Sequence, residues 1–124
     1  SQLTVIQIGL NTWYYSWKGI HPYIWQRISD DEWYCYSGSQ YSWHWIHNKT
    51  ENSTITDKTQ DTWTVEYLSK NKVYNRVYWI KEDDIWEEVH SEGSYNWELI
   101  FGRWVCRQNG VNESFILSPV IYFF

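Results

Sequence analysis

The chain has no alanine and no methionine, only two prolines, six glycines and two cysteines, and ten basic side chains against fifteen acidic ones. Each scarcity removes a class of protein. Without alanine, and with few other strong helix formers, a helical core has little to be built from. A formal net charge of −5 leaves no positive stripe to displace counterions from a nucleic acid. Aromatic rings without such a groove are not a stacking platform, so no nucleic-acid partner is expected. No apolar run approaches the ~20 residues of a bilayer-spanning helix, so no membrane span is expected. There is no Gly-x-Ser-x-Gly, no phosphate-cradling glycine loop and no His-Glu-x-x-His, so neither enzymatic activity nor a cofactor is expected. The acidic pairs Asp30-Asp31 and Glu87-Glu88 read as solvated charge in turn-like contexts. Of the four histidines, His21, His44, His47 and His90, the middle two lie three apart in a predicted strand. They therefore point to opposite faces, and no metal site is expected.

What is present in excess is aromatic: 11 Trp and 11 Tyr in 124 residues, accompanied by Ile, Val and Thr. These residues fit a pleated, half-buried surface, and alternation with period two recurs along the whole chain. It predicts strands over 3–8, 13–17, 23–26, 33–36, 42–46, 62–67, 73–80, 85–89, 95–101, 103–107 and 115–124. Turn residues stand between them at Ser37-Gly38-Ser39, Ser69-Lys70-Asn71, Glu82-Asp83-Asp84, Glu92-Gly93-Ser94 and Asn109-Gly110. The polar stretch from Asn48 to Asp61 reads as a surface loop or exposed edge. The expectation is a single all-β domain over residues 1–124, a sandwich or a barrel.

A core of this size absorbs about five or six indoles, which leaves others for the surface. Trp13, Tyr14, Tyr15, Trp17, Tyr23 and Trp25 form the candidate binding surface, with Trp13, Tyr15 and Trp17 on one strand face and Tyr14 on the other. Three of the eight asparagines head glycosylation sequons, Asn48, Asn52 and Asn112, and the chain opens on Ser1-Gln2-Leu3-Thr4-Val5 as after signal-peptide cleavage. A secreted or cell-surface glycoprotein is expected. Cys35 and Cys106 stand 71 positions apart in apolar strand patterns. In an oxidising compartment they would form a disulfide contributing roughly 4 kcal/mol; the alternative is two buried thiols.

The segment Cys35-Tyr36-Ser37-Gly38-Ser39-Gln40-Tyr41-Ser42-Trp43-His44-Trp45-Ile46 resembles strand B, its loop and strand C of a variable-type immunoglobulin-like domain. Gly102-Arg103-Trp104-Val105 before Cys106 is similar to the end of that family's strand F, and Phe115 to Phe124 to its strand G. The resemblance implies a two-sheet sandwich, an inter-sheet disulfide between Cys35 and Cys106, and core indoles at Trp45 and Trp104. Loop tips at 37–40 and 108–113 would share one end, where a glycan on Asn112 favours recognition by a sheet face. The chain departs from the pattern at Ile100, where an acidic residue is usual, and at Trp104, which has no corner hydroxyl. Separately, Gly9-Leu10-Asn11-Thr12-Trp13-Tyr14-Tyr15 with Trp33-Tyr34-Cys35 resembles the opening of a lipocalin-like barrel. The functional expectation is a non-catalytic domain recognising a protein receptor or soluble ligand, in the manner of an immunomodulatory decoy. The other readings are a barrel carrying a small hydrophobic or amine ligand, and a carbohydrate binder using exposed Trp rows.

Overall fold

The computed structural model of the chain describes residues 3–17, 20–48, 60–108, 111–113 and 118–123. Eleven strands follow one another: β1 (Leu3–Gly9), β2 (Thr12–Trp17), β3 (Ile20–Ser29), β4 (Glu32–Ser37), β5 (Tyr41–Asn48), β6 (Gln60–Ser69), β7 (Lys72–Glu82), β8 (Ile85–His90), β9 (Gly93–Ile100), β10 (Arg103–Gln108) and β11 (Val111–Glu113). The one helix among the described residues, α1 (Pro119–Phe123), is short and comes last of them.

All eleven strands belong to one antiparallel sheet whose spatial order is the chain order. The all-β antiparallel expectation holds, while neither of the two finer architectures is shown. A sandwich of the immunoglobulin type would divide the strands between two sheets and bring distant segments side by side; here every strand pairs with its sequence neighbours. Nor is the sheet a closed barrel, because β1 and β11 stand at its two ends. The turns explain the order. Two-residue connections such as Lys70-Asn71 allow only an antiparallel neighbour. Lys70 and Asn71 both have positive φ (51° and 65°), as do Phe101 and Gly102 (49° and 78°), the primed geometry whose twist matches that of the flanking strands.

Period two sorts the side chains. Register places Trp33 opposite Trp45, Trp45 opposite Val65, Trp63 opposite Trp79 and Trp86 opposite Trp97, all on one face. Strands two apart are roughly 10 Å distant in the sheet, yet their rings meet on this face. Centroids are 5.7 Å apart for Trp25 and Trp45, 5.8 Å for Trp45 and Trp79, and 6.2 Å for Trp79 and Trp97. Large rings leaning together across a sheet that curls toward them produce that approach, so this face is concave. It buries seven indoles, Trp25, Trp33, Trp45, Trp63, Trp79, Trp86 and Trp104, more than the sequence-based expectation. Cross-strand contact among the rings themselves replaces a second sheet. At ~25 cal/mol per Å2 of apolar surface, that burial is the main favourable term for the fold.

The expected last strand is corrected too. β11 pairs with β10 through Arg107–Asn112 and Gln108–Val111, where a loop tip was expected. Of the segment read as a strand over 115–124, Pro119–Phe123 forms α1 instead, while 115–117 and Phe124 lie outside the described residues. Pro119 at its first position presets φ and needs no N–H partner. Five residues make no stable helix alone. Burial of Pro119, Val120 and Ile121, each under 2 % exposed, secures it, the last two within the concave-face cluster.

No disulfide joins Cys35 and Cys106, which are buried thiols on β4 and β10 of the same sheet. The inter-sheet bridge expected from the resemblance has no second sheet to reach. No helix among the described residues is long and apolar enough to cross a membrane.

Candidate functional site

The concave face is not completely filled. Over the middle strands, with Ser118 just before α1 in its lining, lies an open groove of about 260 Å3. Its floor is buried and apolar, made by Trp25, Cys35, Trp45, Val65 and Trp79. Its walls are the half-buried rings of Tyr23, Trp43, Tyr67 and Trp97, and Glu88 and Ser118 also line it.

Each side chain is aimed by strand alternation. Register places Tyr67 opposite Trp43, Trp43 opposite Cys35, and Cys35 opposite Trp25, so one row across β3–β6 faces inward. On β8 the inward positions are Trp86, Glu88 and His90, and Glu88 lies opposite Trp79 and Tyr95. The alternation-blind expectation for Glu87-Glu88 is solvated charge. That is corrected for Glu88, whose side chain is 16 % exposed. The missed signal was the alternation of Glu88 with Trp86, which puts the carboxylate on the indole face.

Glu88 is held on both oxygens. Trp97 Nε1 donates to Oε1 at 3.2 Å, and His90 Nε2 lies 2.7 Å from Oε2. Burial first, and then the Glu88 carboxylate, push the Tyr67 phenol up to about 12, so it stays a neutral hydroxyl. Burial pushes the Cys35 thiol well above its ordinary value, which leaves it a protonated, unreactive part of the floor. Two buried polar atoms among the lining residues have no hydrogen-bond partner: the indole N–H of Trp25 and the hydroxyl of Ser118. Burying such a group unpaired costs about 1–3 kcal/mol.

Histidines clasp the strands elsewhere. His47, on the concave side of β5, stacks on Trp63 with centroids 4.7 Å apart, and its Nδ1 lies 2.8 Å from Asp31 Oδ1. Its Nε2 meets Asp61. Burial opposes its charge, but the carboxylates of Asp31 and Asp61 outweigh it and raise its pKa. His44 points to the convex face, between Glu32 (2.6 Å) and Glu66 (3.6 Å), with Tyr34 stacked on it at 4.2 Å.

Of the six aromatics expected to form a binding surface, Tyr23 and Trp25 line the groove. Trp13 and Tyr15 share their face, Tyr15 buried and Trp13 packed against the core. Tyr14 lies on the opposite face, opposite Ile6 and Ile24. Trp17 pairs through its backbone with Leu3 and Ile20, and its side chain lies outside the described residues. Trp45 and Trp104 are buried at 5 % and 4 % exposure. Among the sequons, Asn48 ends β5 and exchanges hydrogen bonds with Thr64 (2.8 and 3.2 Å). Asn52 lies outside the described residues, and Asn112 lies in β11. Comparisons with models of protein families, with curated proteins and with solved structures find no match to this chain.

Proposed function

We propose that this is a non-catalytic binding domain that carries a small, mainly apolar ligand in the concave groove. One observation carries the reading: an open groove of about 260 Å3 walled by aromatic rings, with the partly buried carboxylate of Glu88 in its lining. Small-molecule sites join apolar walls to a few placed polar groups in this way. The carrier reading thus needs no barrel; the curl of an open sheet supplies the concavity. Calorimetric titration with indole, a neutral aromatic probe, tests it. One site per chain is expected, weakened about tenfold or more in Trp43→Ala, which trims a half-buried wall and spares the floor. Binding unaffected by that substitution would contradict the groove.

A second reading, recognition of a protein, is favoured by β1. This edge strand carries no charge and no proline and leaves Val5, Ile6 and Ile8 about half exposed, with Leu10 at 87 % in the following turn. Edge strands lacking such protection accept a partner strand. Carbohydrate stacking would use exposed indoles, and no described Trp side chain is exposed. A secreted setting now rests on the sequons, since the thiols of Cys35 and Cys106 lend it no support.

A further inference from the structure

We infer that the ligand of the groove is an organic cation, a protonated amine or a quaternary ammonium, seated with its charge against Glu88 and its apolar part among the indoles. The inference rests on the groove reading above and names the ligand class for that site.

Charge is the first argument. Among the described residues Glu88 is the only carboxylate in the lining, and no described lysine or arginine accompanies it. An anion entering the groove would meet a carboxylate and the negative faces of aromatic rings; a cation would meet two attractive elements. The lining phenol of Tyr67 and thiol of Cys35 are neutral and add no competing charge.

Preorganisation is the second. Trp97 and His90 each engage one oxygen of Glu88, which fixes the carboxylate at the wall. A carboxylate offers about four lone-pair sites, so about two remain for a ligand N–H. At 16 % exposure, its attraction is less weakened by water than that of a surface carboxylate.

Third, the same face already holds a cation on its rings. The Lys81 ammonium lies 5.8 Å from the ring centre of Trp86 and 6.0 Å from that of Trp104. Trp86 is two residues from Glu88 on β8 and shares its face. An ammonium among indoles is therefore a contact this surface makes with its own chain.

Three probes of one shape test the inference by calorimetric titration of the full chain near pH 7: tryptamine (cation), 3-ethylindole (neutral) and indole-3-propionate (anion). Tryptamine is expected to bind about tenfold or more tighter than 3-ethylindole, with the anion weakest. Glu88→Gln, checked for folding by near-ultraviolet circular dichroism, is expected to bring tryptamine to about the affinity of 3-ethylindole. If 3-ethylindole binds as well as tryptamine to the unaltered chain, the charge assignment is overturned and the groove reading stands. If none of the three binds, the groove reading itself fails and the inference with it. The unaltered chain decides both questions even if the variant does not fold.

Discussion

The two faces of this sheet are made by the same strands, yet they differ as much as the core and the surface of an ordinary domain. On β5, Trp43, Trp45 and His47 point inward, while Ser42, His44 and Ile46 point outward. Across the sheet the inward set holds every described indole. The outward set is a polar mixture that includes the cross-strand row Tyr34, His44, Glu66 and Arg76. A side chain's worth thus depends on the parity of its position. An indole inward replaces the missing second layer, whereas a phenol outward keeps its hydroxyl in water.

The largest effect should come from removing an inward ring. Trp63→Ala, at a site with no exposure, is expected to lower unfolding stability by about 3–5 kcal/mol. Tyr78→Ala, on the outward face and 42 % exposed, should cost about 1 kcal/mol or less. Denaturant titration of the pair checks this, and equal losses would erase the contrast between the faces.

A smaller, pH-dependent effect is expected at the inward histidine. His47 has a raised pKa in the folded chain, against an ordinary value of 6.5. Its stabilisation is therefore complete below 6.5 and is lost as pH rises through the raised value. Unfolding followed from pH 6 to 9 should show stability declining over that window, and His47→Gln should flatten the decline. An unchanged slope in the variant would remove His47 from the account.

The turns belong to neither face and should respond less. Phe101 is fully exposed with φ +49°, a left-handed conformation that a bulky residue adopts at a cost. Phe101→Asn is expected to stabilise the fold by about 0.5–1 kcal/mol, read from the denaturant midpoint. The smallest effect should be that of a reductant. With both cysteines as thiols it should leave the melting temperature unchanged, whereas loss of a bridge over so long a loop would remove roughly 4 kcal/mol.

Much of the fold was legible in the alternation. The first ten strands fall where period two put them, and the opposite orientations of His44 and His47 follow from a spacing of three. Most of the pairing order was also legible, in two-residue connections that leave no room for a crossover, though the long stretch between β5 and β6 carries no such signal. It was obscured by the resemblance of Cys35, Trp45 and Cys106 to another architecture, a likeness of spacing between residues that in this sheet simply share an inward parity. The C-terminal segment misled for a different reason. Ile121-Tyr122-Phe123 has strand-like composition, but Pro119 and the open concave face select a buried helical turn. Glu88 went unnoticed because a charge beside another charge looks solvated until its strand neighbours set its direction.

Interproton nuclear Overhauser effects across the middle of the sheet test the fold most directly. The open meander predicts cross-strand contacts of Trp45 with Trp33 on one side and Val65 on the other. Backbone contacts between Trp45 and the 103–108 strand would instead place β5 beside β10 and contradict the single-sheet account.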